Sequence, residues 1–178
     1  KTLQLKRRLF YAAMLFLLIA LARPQWGSRE ETVTIRGLEV LFAIDTSRSM
    51  QSEDVVPSRI EKAVLEIDRL LDILSPNRFG LVSFAGSASP IVPITSDTGA
   101  IRLFLKAIKQ YREPVGGTNI EVAFQQAEKM FSKATSHDKV LIIFTDGETH
   151  EGDLDGVMAA ATDQKIHIYP VGIGTEAG

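Results

Sequence analysis

Two short apolar runs, each ending at an aspartate, restrict the possible folds of this chain more than any other feature. Leu38-Glu39-Val40-Leu41-Phe42-Ala43-Ile44 runs into Asp45, and Val140-Leu141-Ile142-Ile143-Phe144 runs into Thr145-Asp146. Both are rich in β-branched and aromatic residues and too short for ordinary helices, so they read as strands. Neither alternates cleanly between apolar and polar, which means burial on two faces, the condition of central strands in a mostly parallel sheet covered by helices on both sides. Ile166 to Val171, ending in Gly172, is a third such run.

The stretches between them fit that architecture. Ser58-Arg59-Ile60-Glu61 is a capping-box start for a helix whose apolar face is Ile60, Val64, Ile67, Leu71 and Leu74, stopped at Ser75-Pro76-Asn77. Phe79 to Phe84 and Ala88 to Ile94, divided by Gly86-Ser87, predict a tight strand pair. Helices are expected over Asp97 to Ile108, Ile120 to Phe131 and Leu154 to Asp163. The fold expected over 33–178 is therefore α/β, with a doubly wound, mostly parallel sheet flanked by helices. A length of 178 residues allows one such domain with an appendage. A hydrophobic share of 45% is ordinary for a globular domain, and a net charge of -2 gives no electrostatic reason to expect a nucleic-acid partner. The absence of cysteine excludes disulfides, thiolate metal sites and cysteine nucleophiles.

The appendage lies at the start, where Lys6-Arg7-Arg8 precedes an apolar run from Leu9 to Ala22, followed by Arg23-Pro24-Gln25-Trp26. The run alone would extend about 21 Å as a helix; from Leu5 to Trp26 the length is about 33 Å, enough to cross a hydrocarbon core of about 30 Å if the arginines snorkel. A transmembrane helix over 5–26 is the expectation. A cleaved signal peptide ending near Ala20-Leu21-Ala22 and a buried core helix are the alternatives. Positive charge is denser before the run than after it, where Glu30 and Glu31 dilute Arg23 and Arg29, so the following domain is expected outside the cytoplasm.

Chemistry concentrates at the ends of the two defining strands. Asp45-Thr46-Ser47-Arg48-Ser49 sets a carboxylate and two hydroxyls at alternate positions directly after a buried strand, and extended geometry would send them the same way. Asp146 follows the second strand as Asp45 follows the first. In open parallel sheets ligands gather in the crevice outside the carboxyl ends of the strands. Thr118 lies in Gly116-Gly117-Thr118-Asn119, a glycine-rich loop leading into a helix. Taken together, Asp45, Ser47, Ser49, Thr118 and Asp146 form an all-oxygen set, suited to hard ions such as Mg2+, Ca2+ or Mn2+ rather than zinc or copper. Taken singly, each has an ordinary explanation: Asp45 as a turn residue bonding its own backbone, Thr118 as the N-cap of a Thr118-Asn119-Ile120-Glu121 capping box, Asp146-Gly147 as a turn.

The set resembles the metal-ion-dependent adhesion site of von Willebrand factor type A domains, with Asp-x-Ser-x-Ser at Asp45, Ser47 and Ser49, the threonine at Thr118 and the aspartate of Thr-Asp-Gly at Asp146. The resemblance covers roughly 33–178. It implies a Rossmann-like fold that normally continues with further helices and a final strand, so the C-terminal part of the domain is expected to be missing. Ala22-Arg23-Pro24-Gln25-Trp26, Arg36-Gly37-Leu38-Glu39, Met50 with Glu53-Asp54-Val55, and Pro57-Ser58-Arg59 narrow the likeness to the bacterial Bat (aerotolerance-type) inner-membrane proteins. Arg48 stands where many relatives have glycine, at a position that is not a ligand. The likeness implies direct metal binding by Ser47, Ser49 and Thr118, contacts through water from Asp45 and Asp146, and an acidic residue of a partner protein completing the site. It also implies a bacterial inner membrane with the domain on its periplasmic side, other Bat-type membrane proteins as partners and a functional link to a MoxR-type AAA+ ATPase.

A protein–protein interaction module and not an enzyme is therefore expected. Two alternatives stand beside it. One is a metal-dependent hydrolase with His150 as base, although the chain carries no Gly-x-Ser-x-Gly, His-Glu-x-x-His or Walker loop. The other is a scaffold in which the metal only staples the domain.

Overall fold

The computed structural model describes residues 2–21, 37–111, 113, 115–131, 137–147 and 152–175. Among these, five strands form one sheet: β1 (Leu38–Asp45), β2 (Arg78–Phe84), β3 (Ala88–Thr95), β4 (Asp138–Thr145) and β5 (Ile166–Gly172), in the order β3-β2-β1-β4-β5. β1 runs parallel to β2 and β4, and β4 parallel to β5; β3 returns antiparallel on β2 and makes the sheet mixed. Five helices accompany it: α1 (Thr2–Leu21), α2 (Arg59–Ile73), α3 (Thr98–Ile108), α4 (Ile120–Met130) and α5 (Leu154–Asp163).

The two-faced burial read from β1 holds residue by residue. Val40, Phe42 and Ile44 belong to one core with Ile60, Ile67 and Leu71 of α2 and Ile101 and Leu105 of α3. Leu41 and Ala43 belong to a second core with Phe124 and Ala127 of α4 and Val157 and Ala161 of α5. Phe42 anchors the first, stacked on Phe79 at 6.0 Å between ring centroids and tilted against Phe144 at 6.4 Å. The one charge inside the β1 run, Glu39, is buried and accepts from the Arg78 guanidinium at 2.7 Å, which is how the strand tolerates it. The Ser58 N-cap also forms, with Ser58 Oγ accepting from Glu61 N at 3.3 Å, while the Glu61 carboxylate pairs with Lys109 at 3.1 Å.

This topology fixes where a site can be. The chain leaves β1 through α2 to reach β2 on one side, and leaves β4 through α5 to reach β5 on the other, so β1 and β4 flank the switch point. In such a topology the crevice for a ligand lies outside their carboxyl ends, where Asp45 and Asp146 sit.

The appendage departs from expectation. Two compact units are present, Lys1–Thr34 and Ile35–Gly178. α1 is a helix, but among the described residues no helix is long and apolar enough to cross a membrane, so the transmembrane helix expected over 5–26 is corrected. The reason is that α1 holds three charges, Lys6, Arg7 and Arg8, close to its apolar part, which leaves no apolar stretch of spanning length within it. The apolar part from Leu9 to Leu21 extends only about 20 Å, and residues 22–26 lie outside the described residues. Phe10, Tyr11, Phe16 and Leu17 on α1 are exposed.

Candidate metal centre

β1 delivers Asp45 into the crevice with its side chain fully buried. Beyond it the chain does not stay extended, as strand alternation would have it: Arg48 is in the right-handed helical region and Ser49–Gln51 form a single 3-10 turn. The cause is Asp45 itself, whose Oδ1 accepts from Ser47 N at 2.8 Å and bends the chain two residues on. Ser47 and Ser49 still converge, with their hydroxyl oxygens 3.0 Å apart. Local turn chemistry and a shared site are thus both properties of Asp45, one for each carboxylate oxygen.

Its second oxygen gathers the rest. Asp45 Oδ2 accepts from Thr118 Oγ1 at 3.4 Å and from Thr145 Oγ1 at 2.9 Å. Thr118 is not the N-cap of α4; Asn119 is, its Oδ1 accepting from Val122 N at 3.3 Å. The one-residue shift leaves the buried Thr118 hydroxyl for the crevice. Asn119→Ala should therefore cost about 1 kcal/mol in urea unfolding, the usual loss for an N-cap, while leaving the Thr118 side chain intact. Two main-chain bonds dock this loop on the β2–β3 turn: Asn119 N to Ala85 O at 2.9 Å and Gly86 N to Val115 O at 3.1 Å.

Asp146 follows β4 with a buried side chain whose Oδ2 accepts from an Arg59 guanidinium nitrogen at 2.9 Å. The same guanidinium makes a fork onto both oxygens of Asp54, at 2.9 Å each. The fork holds the Asp54 carboxyl below its ordinary range and pushes Arg59 further up. Burial, with repulsion from Asp146 as a further cause, pushes Asp45 up despite the bonds from Ser47 and Thr145. All five residues singled out in the sequence therefore meet at the ends of β1 and β4.

The donor set fits a small divalent ion. In an octahedron with metal–oxygen bonds of about 2.1 Å, neighbouring ligands sit about 3.0 Å apart, and the Ser47 and Ser49 hydroxyl oxygens have that separation. No cluster of three or more His, Cys, Asp or Glu suited to a metal occurs among the described residues, so a metal at this place would depend on the hydroxyl oxygens. His150, the base of the hydrolase alternative, lies outside the described residues. His137 precedes β4 and His167 pairs with Val140, both toward the amino ends of the parallel strands and away from the crevice.

Three participants escaped the sequence reading. Arg59 was read as part of a capping box and of the Pro57-Ser58-Arg59 string but given no place at the site, although a cation in the first turn of a helix runs against the helix dipole, an anomaly that could have flagged it. Thr145 was read as the end of a strand. Glu113 is buried on the α3–α4 connection, accepting from the hydroxyls of Ser83, Ser87 and Ser89, the last two at 3.1 Å. It lines a cleft of about 400 Å³ beside the centre, together with Thr46, Ser47, Arg48, Gln51, Ala85 and Gly116.

Comparison with known proteins identifies the domain. A family profile described as the von Willebrand factor type A domain matches residues 40–148. The crystal structure of BatB, a conserved hypothetical protein from Bacteroides thetaiotaomicron, is 37% identical with a TM-score of 0.73, covering 80% of this chain and 69% of that one. An aerotolerance-related membrane protein from Bacteroides fragilis NCTC 9343 is 34% identical with a TM-score of 0.71, covering 78% and 68%. A UPF0353 protein from Mycobacterium sp. strain KMS is 28% identical over 182 residues, covering 96% of this chain and 53% of the relative. The chain spans about half the length of the curated relatives it matches.

Proposed function

This chain belongs to the von Willebrand factor type A domain family, and from that premise we propose that it is a metal-dependent protein–protein interaction module of a Bat-type membrane protein. The observation that carries the proposal is the pair of hydroxyls 3.0 Å apart above a buried carboxylate that also accepts from Thr118. Ser47, Ser49 and Thr118 would hold Mg2+ directly, and Asp45 and Asp146 would act from behind them through water. When bound, the ion supplies a positive charge that uncharged hydroxyls do not cancel. Such a centre favours an incoming carboxylate, so the ligand proposed is a glutamate or aspartate side chain of a partner protein. Other Bat-type membrane proteins are the first candidates. Membrane attachment is supported by the description of the Bacteroides fragilis relative and by the exposed apolar side chains of α1, without requiring α1 to span.

Calorimetry on the full chain tests this. Mg2+ should bind, and a short peptide carrying one glutamate should bind only when Mg2+ is present, whereas its glutamine counterpart should not bind at all. Equal binding of the two peptides, or binding that survives EDTA, would sink the proposal.

A further inference from the structure

Arg59 places a permanent positive charge against one member of the metal centre. The guanidinium is buried, at 7% exposure, and contacts Asp146 at 2.9 Å across 87 residues of sequence. Its other nitrogens fork onto Asp54, whose side chain is partly exposed. Arginine does not lose its proton in a folded protein, so this charge is present whether or not a metal is bound. The other buried residues of α2 are all apolar, and a cation in its first turn opposes the helix dipole. The residue is explained by what it touches.

We propose that Arg59 sets the ligand preference of the centre: by holding Asp146 Oδ2 and adding a fixed positive charge, it weakens cation binding and strengthens capture of an anionic ligand. The inference rests on the metal-dependent reading above and deepens it. A cation and Arg59 compete for the same carboxylate, so the charge raises the free energy of the loaded state. Once a cation is bound, the same charge adds to the field drawing a carboxylate in and keeps part of Asp146 from neutralising the site. Arg59 is thus a positioning residue that touches neither ligand and acts through Asp146. Its two effects have opposite signs, which no purely structural staple would produce.

The experiment is a paired calorimetric titration of the full chain, first with Mg2+ alone and then with the single-glutamate peptide at saturating Mg2+. Arg59→Gln, which keeps a donor and loses the charge, should bind Mg2+ about tenfold tighter and the peptide about tenfold weaker, within the usual range for coupled sites. Arg59→Lys, which keeps the charge but loses the fork onto Asp54, should shift both affinities less than Arg59→Gln does. Because Arg59→Gln could unfold the site, Asp54→Asn is measured beside it. That change removes an exposed carboxylate from the fork, leaves the charge of Arg59 less compensated, and should shift both affinities the opposite way. Mg2+ binding unchanged or weakened in a folded Arg59→Gln, or both affinities moving together in either variant, overturns the inference while the metal reading stands. Failure of Mg2+ to bind folded wild type overturns both.

Discussion

Asp45→Asn is expected to abolish Mg2+ binding and, in the same protein, to raise the melting temperature of the metal-free chain. Both halves follow from a carboxylate buried for the sake of a ligand. Asp45 is fully buried and its pKa is raised by that burial first, with Asp146 adding repulsion. The folded state therefore binds its proton more tightly than the unfolded chain does. For such an acid, stability falls as pH rises from the ordinary carboxylate range through the raised folded pKa, and at neutral pH the ionised side chain is a net cost to the fold. Asparagine removes the charge and keeps the contacts. Its oxygen can still accept from Ser47 N, and its amide can donate to Thr118 and Thr145, whose hydroxyls accept as readily as they donate. In a domain of this size each kcal/mol recovered raises Tm by about 2–4 °C. Scanning calorimetry in EDTA at neutral pH reads the gain, titration with Mg2+ reads the loss, and the wild type in EDTA should itself become less stable between mildly acidic and neutral pH as far as Asp45 is concerned. A metal-free Asp45→Asn protein that melts lower than wild type would mean that Asp45 is a structural acceptor first.

Gly86→Ala should weaken Mg2+ binding by roughly 100-fold through a residue that carries no ligand atom, given that misplacing a functional group by about 1 Å can cost that much. A Cβ built on Gly86 lies 2.1 Å from the carbonyl oxygen of Gly116 and 2.9 Å from Val115 Cγ1. Relieving those contacts requires the loop to retreat by about 1 Å or more. That loop carries Thr118, already at the long end of hydrogen-bond range from Asp45 Oδ2 at 3.4 Å. The overpacking itself should cost about 1–3 kcal/mol in urea unfolding. The diagnostic result is the disproportion, a modest loss of stability with a large loss of affinity. Unchanged Mg2+ affinity would mean that Thr118 does not contribute to the centre.

These two positions illustrate what was legible in advance. Asp45 could be found because Asp-x-Ser-x-Ser is a compact string at a strand end. Gly86 could not, because its role depends on a backbone 30 residues away that only the folded sheet brings beside it. Thr118 was found by its pattern, and its ordinary alternative as an N-cap is set aside because Asn119 takes the cap. Two neighbouring polar residues can each begin a helix, and the choice is made by the main-chain bond from Asn119 to Ala85, a tertiary contact. The expected span over 5–26 relied on its arginines snorkelling, whereas no described helix is long and apolar enough to cross a membrane.

By itself the sequence determined what short-range physics controls. Burial of β1 and β4 on two faces, the amphipathic period of α2, its Ser58 cap and the Asp45-x-Ser47-x-Ser49 string all follow from residues within a few positions of one another. Only the tertiary structure decided which distant groups meet: Thr145 with Asp45 across 100 residues, Arg59 with Asp146 across 87, and Glu113 with three serines of the β2–β3 hairpin. Ion pairs and buried hydrogen bonds depend on ångström-scale separation in a desolvated place, and separation along the chain says nothing of that until the sheet order is set.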